Sequence, residues 1–325
     1  MECAERLPAT AEGIARAAGL IRGGGLVAFP TETVYGLGAD AGDARAVAAL
    51  YAAKGRPSFN PLIAHVPSIE AAERLGRFGP AARALAERFW PGPLTLVVPR
   101  RTPDGVCDLA TAGLDTVALR VPAHRLALAL LEGVGRPVVA PSANRSGHVS
   151  PTTASHVLDD LGGRIAAVLD GDATPIGVES SIVLVEGDAA ALLRPGGLAR
   201  AELEIVLGRR LGEVNDREAE RPQSPGLLAS HYAPSARVRL SATEIRAGEA
   251  ALLFGGFAPA GLERAVATVN LSPAGDTQEA AAALFGALRR LDALGVAGIA
   301  VAPIPDDGLG EAINDRLRRA AAPRP

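Results

Sequence analysis

Apolar runs of four to six residues alternate with longer stretches of helical period along most of the chain. "GLVAF" (25–29), "PLIAHV" (61–66), "LTLVV" (94–98), "TVALRV" (116–121), "PVVA" (137–140), "IAAVL" (165–169) and "SIVLV" (181–185) predict strands, because they are short, apolar and bounded by turn formers. Residues 43–54, 80–90 and 153–162 carry the helical period, and Asp43 and Gly55 supply start and stop signals for the first. Such alternation implies an α/β layer architecture. The first unit is expected to end near 201–212. Residues 213–236 are polar, contain proline and have no period, so they read as a linker longer than ordinary connections. Beyond it, apolar runs at 251–257, 265–271 and 298–304 and helical patterns at 277–294 and 310–320 predict a second, smaller α/β unit.

Length and composition agree with two units. A chain of 325 residues, 48 % apolar, is long for one core and rich enough in apolar surface to bury two. The net charge of −3 argues against a protein that coats nucleic acid. Cys3 and Cys107 are too few for a disulfide framework or a zinc knuckle and fit a reducing cytoplasm. The opening residues have no cationic start followed by an apolar stretch, so no secretory leader is expected. No run of eighteen apolar residues exists, so no membrane span is expected.

One residue stands apart from this background. Lys54 is the only lysine, while the other thirty-two basic residues are arginine. Lysine is a compact point charge on a thin stem and arginine a wide planar fork, so a site that keeps lysine here has a steric or electrostatic reason for it.

Several common chemistries are missing. The lysine precedes a glycine, which rules out the usual P-loop, and no G-x-G-x-x-G follows a strand. His-Glu-x-x-His, Cys-x-x-Cys and the G-x-S-x-G elbow are absent, leaving no evident metal ligands or covalent nucleophile.

Polar clusters instead follow the apolar strands, where open α/β sheets place ligands. "FPTETVYGLGAD" (29–40) offers Thr31, Glu32, Thr33 and Tyr35, read as a loop that either presents hydroxyls to a ligand or caps a turn. "KGRPSFN" places Lys54 and Arg56 two residues apart with Asn60 beyond, suited either to a polyphosphate or to a helix C-terminus. His65 lies on the next strand. Arg120 interrupts an apolar strand, so it must sit at the strand end, pair with an acid or bind an anion. The loop at 140–152 brings Ser142, Asn144, Ser146 and Ser150, and "GVESSIVLV" and "LLRPGG" bring Ser180, Ser181 and Arg194.

In order and spacing, "PTETVYGLG", "KGRPSFNPL", "TVALRVP", "PSANRSG", "ESSIVLV" and "LLRPG" resemble the YrdC-like threonylcarbamoyl-AMP synthases. "SPGLLASHYAP" (224–234) and the second unit resemble the long form of that family. The resemblance implies a YrdC-like twisted mixed sheet with helices around a concave cavity (1–212), a linker serving as lid (213–236) and a Rossmann-like C-terminal domain (237–325). It implies an enzyme, a nucleotidyltransferase, that makes threonylcarbamoyl-AMP and pyrophosphate from L-threonine, bicarbonate or CO2, and ATP with Mg2+. The product would pass to the machinery that builds threonylcarbamoyladenosine in tRNA.

Thr33, His65, Arg120, Ala140 and Ser180 match the threonine-binding positions of the family. Arg56, Asn60, Thr116, Ser142, Ser150, Arg194 and Tyr232 match its ATP-binding positions. Lys54 and Asn144 belong to its Lys-x-Arg and Ser-x-Asn signature and are expected against the phosphates, with Lys54 and Arg56 stabilising charge in catalysis. No membrane contact or stable nucleic-acid binding is expected; no metal-ligand residues are singled out, and the resemblance leaves open whether Mg2+ is held by the protein or arrives with ATP. The middle of the linker, Leu227 to Ser230, departs from the basic and aromatic pattern of relatives, which leaves the lid's contacts open. Two other readings use the same residues. One is an RNA-binding module in the same basic concavity, which the aromatic content of 3 % disfavours. The other is a carbamoyl-phosphate-dependent transferase, which would normally carry zinc-finger segments.

Overall fold

The computed structural model describes residues 3–103, 105–213 and 231–323. Most of the expected linker, 214–230, lies outside these, including the divergent Leu227–Ser230 segment.

Eleven strands form one mixed sheet among the described residues. Its centre runs Val27–Pro30, Tyr35–Asp40, Val138–Val139, Ile63–His65, Thr116–Arg120, Leu94–Pro99 and Ser181–Glu186. Each strand expected in the first unit is present, displaced by a residue or two at its ends. One face is packed by the helices Ala44–Lys54 and Pro80–Phe89 through a core that includes Leu50, Leu85, Leu96 and Leu119. Helices Ala11–Arg22 and Arg125–Val134, not singled out by the sequence pattern, close a second core over Val27, Phe29 and Val138. The opposite face of the middle strands carries only a small apolar cluster of Ile63, Val97, Ala118, Ile182 and Leu193.

The segment 29–40 corrects the expectation of a loop. Residues 31–34 make a short turn, and Tyr35–Asp40 returns as a buried strand antiparallel to Val27–Pro30. Its sequence "YGLGAD" hides this, because glycine and aspartate are poor strand formers. The glycine is required by close packing: a Cβ on Gly38 would stand 2.9 Å from the Phe29 ring and 3.1 Å from the Val27 carbonyl oxygen.

Helix Ala44–Lys54 begins and ends as its sequence demands. The Asp43 carboxylate accepts from the amides of Arg45 and Ala46, and Gly55 stops the helix at φ 61°. That left-handed residue turns the chain sharply between Lys54 and Arg56.

The C-terminal unit is a parallel four-stranded sheet in the order Arg237–Arg239, Gly298–Val301, Glu249–Leu253, Thr268–Asn270. Helices Thr277–Asp292 and Gly310–Ala321 cover one face. The same core takes in Val34, Val149 and Val178 from the first unit. Contact is close enough to exclude a side chain: Gly177 has φ +77°, and a Cβ there would lie 2.4 Å from the Ala281 carbonyl oxygen. No helix among the described residues is long and apolar enough to cross a membrane.

Candidate active site

The sparsely covered face of the sheet is where the polar residues gather. Strand pairing sets His65 beside Arg120 and Ile63 beside Ala118. Because side chains alternate, Ile63 and His65 point to one face, as do Thr116, Ala118 and Arg120. Thr116 and Arg120 thus mark two ends of one stripe, roughly 13 Å apart at the usual strand rise.

At the Arg120 end, the turn at 31–34 is shaped by Thr31, whose hydroxyl donates to the Val34 carbonyl at 2.7 Å. Arg120 donates to the Thr33 hydroxyl at 2.9 Å and pairs with the Glu32 carboxylate at 2.8 Å. Of the three fates open to a guanidinium on an apolar strand, two are therefore met: it is the last residue of its strand and it pairs with an acid. His65 is 2 % exposed. Burial, reinforced by Arg120, lowers its pKa to about 3, so the ring is neutral at physiological pH. Its Nδ1 lies 3.2 Å from the Ile63 carbonyl oxygen. Donation there leaves Nε2 as an acceptor. Ser180 shares a hydrogen bond of 2.8 Å with Thr95, and Arg194 donates to the Ser180 carbonyl at 2.9 Å. Ala140 is held by its amide on the Ile63 carbonyl at 3.1 Å.

At the other end, Arg56 donates to the Asn60 and Pro61 carbonyls at 3.3 and 3.2 Å. Its Nε and both polar atoms of the Asn60 amide are buried without a hydrogen-bond partner among the described residues. Burial lowers the Arg56 pKa to about 10, and Arg194 adds to that. These are groups with unused bonding capacity and strong positive potential.

Lys54 sits differently. Its ammonium donates to the carbonyls of Ser142 and Asn144, each at 2.6 Å, beneath the loop after strand Val138–Val139. The Asn144 amide donates in turn to the Arg145 and His148 carbonyls at 2.9 and 2.7 Å. The two halves of the signature thus hold each other, and the compact ammonium fits between two carbonyls. With burial foremost and Arg56 nearby, the Lys54 pKa is pushed well down.

These groups enclose a cavity of about 40 Å³. Of the residues expected to bind substrate, Arg56, His65, Arg120, Ala140, Ser142, Ser180, Arg194 and Tyr232 line it. Thr33 stands behind Arg120. Lys54, Asn60, Thr116, Asn144 and Ser150 lie outside its wall, the first and fourth as loop supports. A larger cleft of about 800 Å³ opens between the two units at Gly55, Ser146 and Arg289. Its acids and bases pair with one another, Asp160 meeting both Arg289 and His148, whereas buried polar groups with unused capacity surround the smaller cavity, which is the candidate site.

Five lining residues escaped the sequence reading: Val34, Ile63, Pro141, Glu179 and His231. Glu179 was legible as an acid directly before two serines at a strand start. It accepts from the Ser150 hydroxyl at 2.5 Å and from Arg316 at 2.7 Å. Burial works to raise its pKa, but Arg316, Arg194 and Ser150 hold it down at about 2. His231 and Tyr232 close the cavity; Tyr232 is 1 % exposed, stacked on Phe285 with 5.6 Å between centroids.

Two family models cover the chain. Residues 19–196 match the family described as telomere recombination, and residues 198–322 match the threonylcarbamoyl-AMP synthase C-terminal domain. The chain belongs to the threonylcarbamoyl-AMP synthase family. It is 44 % identical to the Bacillus subtilis threonylcarbamoyl-AMP synthase, over 96 % of this chain and 93 % of that one. It is 46 % identical to the Pyrococcus abyssi threonylcarbamoyl-AMP synthase, over 95 % and 94 %. A crystal structure of P. abyssi Sua5 complexed with L-threonine superposes with a TM-score of 0.86 at 42 % identity, covering 98 % of this chain and 97 % of that one. Family membership accounts for both units, and so for the α/β architecture read from the sequence.

Proposed function

We propose that the chain makes threonylcarbamoyl-AMP from L-threonine, bicarbonate-derived CO2 and ATP, releasing pyrophosphate. The observation that carries this reading is the gathering, around one cavity, of two buried arginines, Arg56 and Arg194, with an Arg120–His65 corner backed by Thr33. The corner suits an amino acid: Arg120 faces a carboxylate, and the neutral His65 and Ser180 accept from or donate to a side-chain hydroxyl. The two arginines suit a triphosphate.

No side chain need form a covalent bond. The threonine amine, once deprotonated, adds to CO2, and the carbamate oxygen displaces pyrophosphate at the α-phosphorus. Holding the reactants in line contributes up to about 7–11 kcal/mol in favourable cases. Fixed donors aimed at the phosphates contribute further. Lys54 serves this indirectly, by fixing the backbone of Ser142 and Asn144. The residues do not fit a dedicated Mg2+ cage: the cavity carboxylate, Glu179, is taken by Arg316 and Ser150, and no cluster of three or more metal-ligating side chains occurs among the described residues. Mg2+ would instead arrive on the triphosphate.

A cavity of about 40 Å³ is far below the roughly 300–1,000 Å³ of small-molecule sites. His231 and Tyr232 must therefore move aside for substrates and return to exclude water from the labile carbamate. The product, a mixed anhydride, is an activated donor for the tRNA threonylcarbamoyl transferase machinery. The test is pyrophosphate release from ATP that depends jointly on L-threonine and bicarbonate. Release with either omitted, or none with both, would overturn the reading.

A further inference from the structure

The largest fully buried side chain among the described residues is Arg316, which comes from the C-terminal unit. It sits on helix Gly310–Ala321 between Ile313 and Leu317, which face that unit's core. A core-facing guanidinium is tolerated only when its charge is met. Here Nε donates to Glu179 at 2.7 Å and Nη1 to the Pro195 carbonyl at 2.9 Å and to Asp315 at 2.6 Å. The guanidinium carbon also lies 5.2 Å from the centre of the Tyr232 ring. Both Glu179 and Tyr232 line the catalytic cavity, and Glu179 holds the Ser150 hydroxyl.

We propose that Arg316 is a positioning residue for the nucleotide end of the site, discharging Glu179, fixing Ser150 through it and seating Tyr232. The inference rests on the adenylate-forming reading above. Its logic is electrostatic. A carboxylate in the wall of a triphosphate site repels its ligand, and only a fixed cation behind it makes it acceptable. The Glu179 carboxylate accepts from Arg316 at 2.7 Å and from the Ser150 hydroxyl at 2.5 Å, the pattern of an ionised acid that needs a permanent opposing charge. Arginine supplies that, and its flat face leaves room for the tyrosine ring. The second unit thereby backs the cavity wall with a guanidinium bonded directly to Glu179, in addition to Arg194 of the first unit. Other ion pairs also join the units, Asp160–Arg289 at 2.8 Å and Arg200–Glu311 at 2.6 Å, but neither Arg200 nor Glu311 lines the cavity.

The experiment uses the full chain and measures KM for ATP, KM for L-threonine and kcat by pyrophosphate release, with threonine affinity measured separately by calorimetry. Wild-type protein that releases no pyrophosphate with threonine removes the functional reading and this inference with it. Given an active wild type, Arg316→Met should raise KM for ATP tenfold or more while threonine affinity stays within twofold, and Arg316→Lys should recover most of the loss. Arg200→Met, which breaks a pair between the units away from the cavity, should leave KM for ATP within twofold. Unchanged KM for ATP in Arg316→Met, a parallel rise in both constants, or an equal rise in Arg200→Met would overturn the proposal. Should Arg316→Met not fold, Arg316→Gln decides, because it keeps a polar side chain and removes only the charge. A folded Arg316→Gln should also raise KM for ATP tenfold or more with threonine affinity within twofold, and an unchanged KM for ATP in it would overturn the discharging role.

Discussion

The Lys54 ammonium donates to the carbonyl of Ser142 at 2.6 Å, tying a helix end to a loop 88 residues further along the chain. With the second bond to Asn144, this contact sets the path of the loop that carries Ser142 into the cavity. The longer, planar head of arginine cannot take the place of this buried ammonium without moving the loop. Lys54→Arg is therefore expected to remain folded but to lose most adenylate formation. Leaving the two carbonyls unmet would cost about 1–3 kcal/mol each. Pyrophosphate release and amide exchange across 142–148 check this: near wild-type turnover with unchanged exchange would refute it.

Arg120 holds Glu32 and Thr33 in the fold, and in the proposed function it also meets the substrate carboxylate. Replacing it by methionine leaves the Glu32 carboxylate buried and alone, a loss on the order of 3–5 kcal/mol. Threonine affinity should fall at least a hundredfold in the same variant. Pairing the change with Glu32→Gln should restore much of the melting temperature without restoring threonine binding. Recovery of both together would show that Arg120 has no direct role with the amino acid.

Acid should destabilise the protein from near pH 6.5 downward. His65 and His231 are both held at about 3 by burial, against an ordinary value of 6.5. A depressed histidine gives stability that is complete above 6.5 and lost as pH falls, because only the unfolded chain takes up the proton. Each contributes a slope of about 1.4 kcal/mol per pH unit well below 6.5. Glu179, lowered from 4.5 to about 2, acts in the same sense but only below pH 4.5. Urea midpoints measured from pH 7.5 to 5 should fall steadily, and His231→Gln should flatten the fall. A level profile over that range would contradict the buried neutral rings.

Cutting the chain after residue 212 should leave a folded first unit with little activity. Ten of the eleven strands and the unit's own cores stay intact, only the edge strand Gly212–Glu213 being cut, but Val34, Val149 and Val178 lose the apolar cover of Phe285 and its neighbours. Tyr232, His231 and Arg316 go as well. The expected signs are a cooperative melt, increased dye binding to exposed apolar surface, and pyrophosphate release reduced at least a hundredfold. Full activity in the fragment would show that the lid and Arg316 are dispensable.

The central strands were legible because buried strands in a two-sided sheet are short apolar runs. Arg120 was legible as a charge where none should be. Strand Tyr35–Asp40 was not, since its glycines answer to the Phe29 ring and the neighbouring backbone, which lie outside any local pattern. Nor was Arg316: "NDRLRR" reads as a solvated helix end, and only the docking of the two units turns the first of those arginines inward. Lys54 was found by its rarity and by the Lys-x-Arg signature, while its partners, two backbone carbonyls, leave no mark in a sequence.

That rarity has a practical side. Side-chain amines are absent from this protein except at position 54, where the group is 3 % exposed. An acylating reagent directed at lysine therefore has one internal target, covered by the loop it supports. The speed at which that target is modified in the intact molecule, and the slowing of that speed by bound nucleotide, would read out how often the loop lifts.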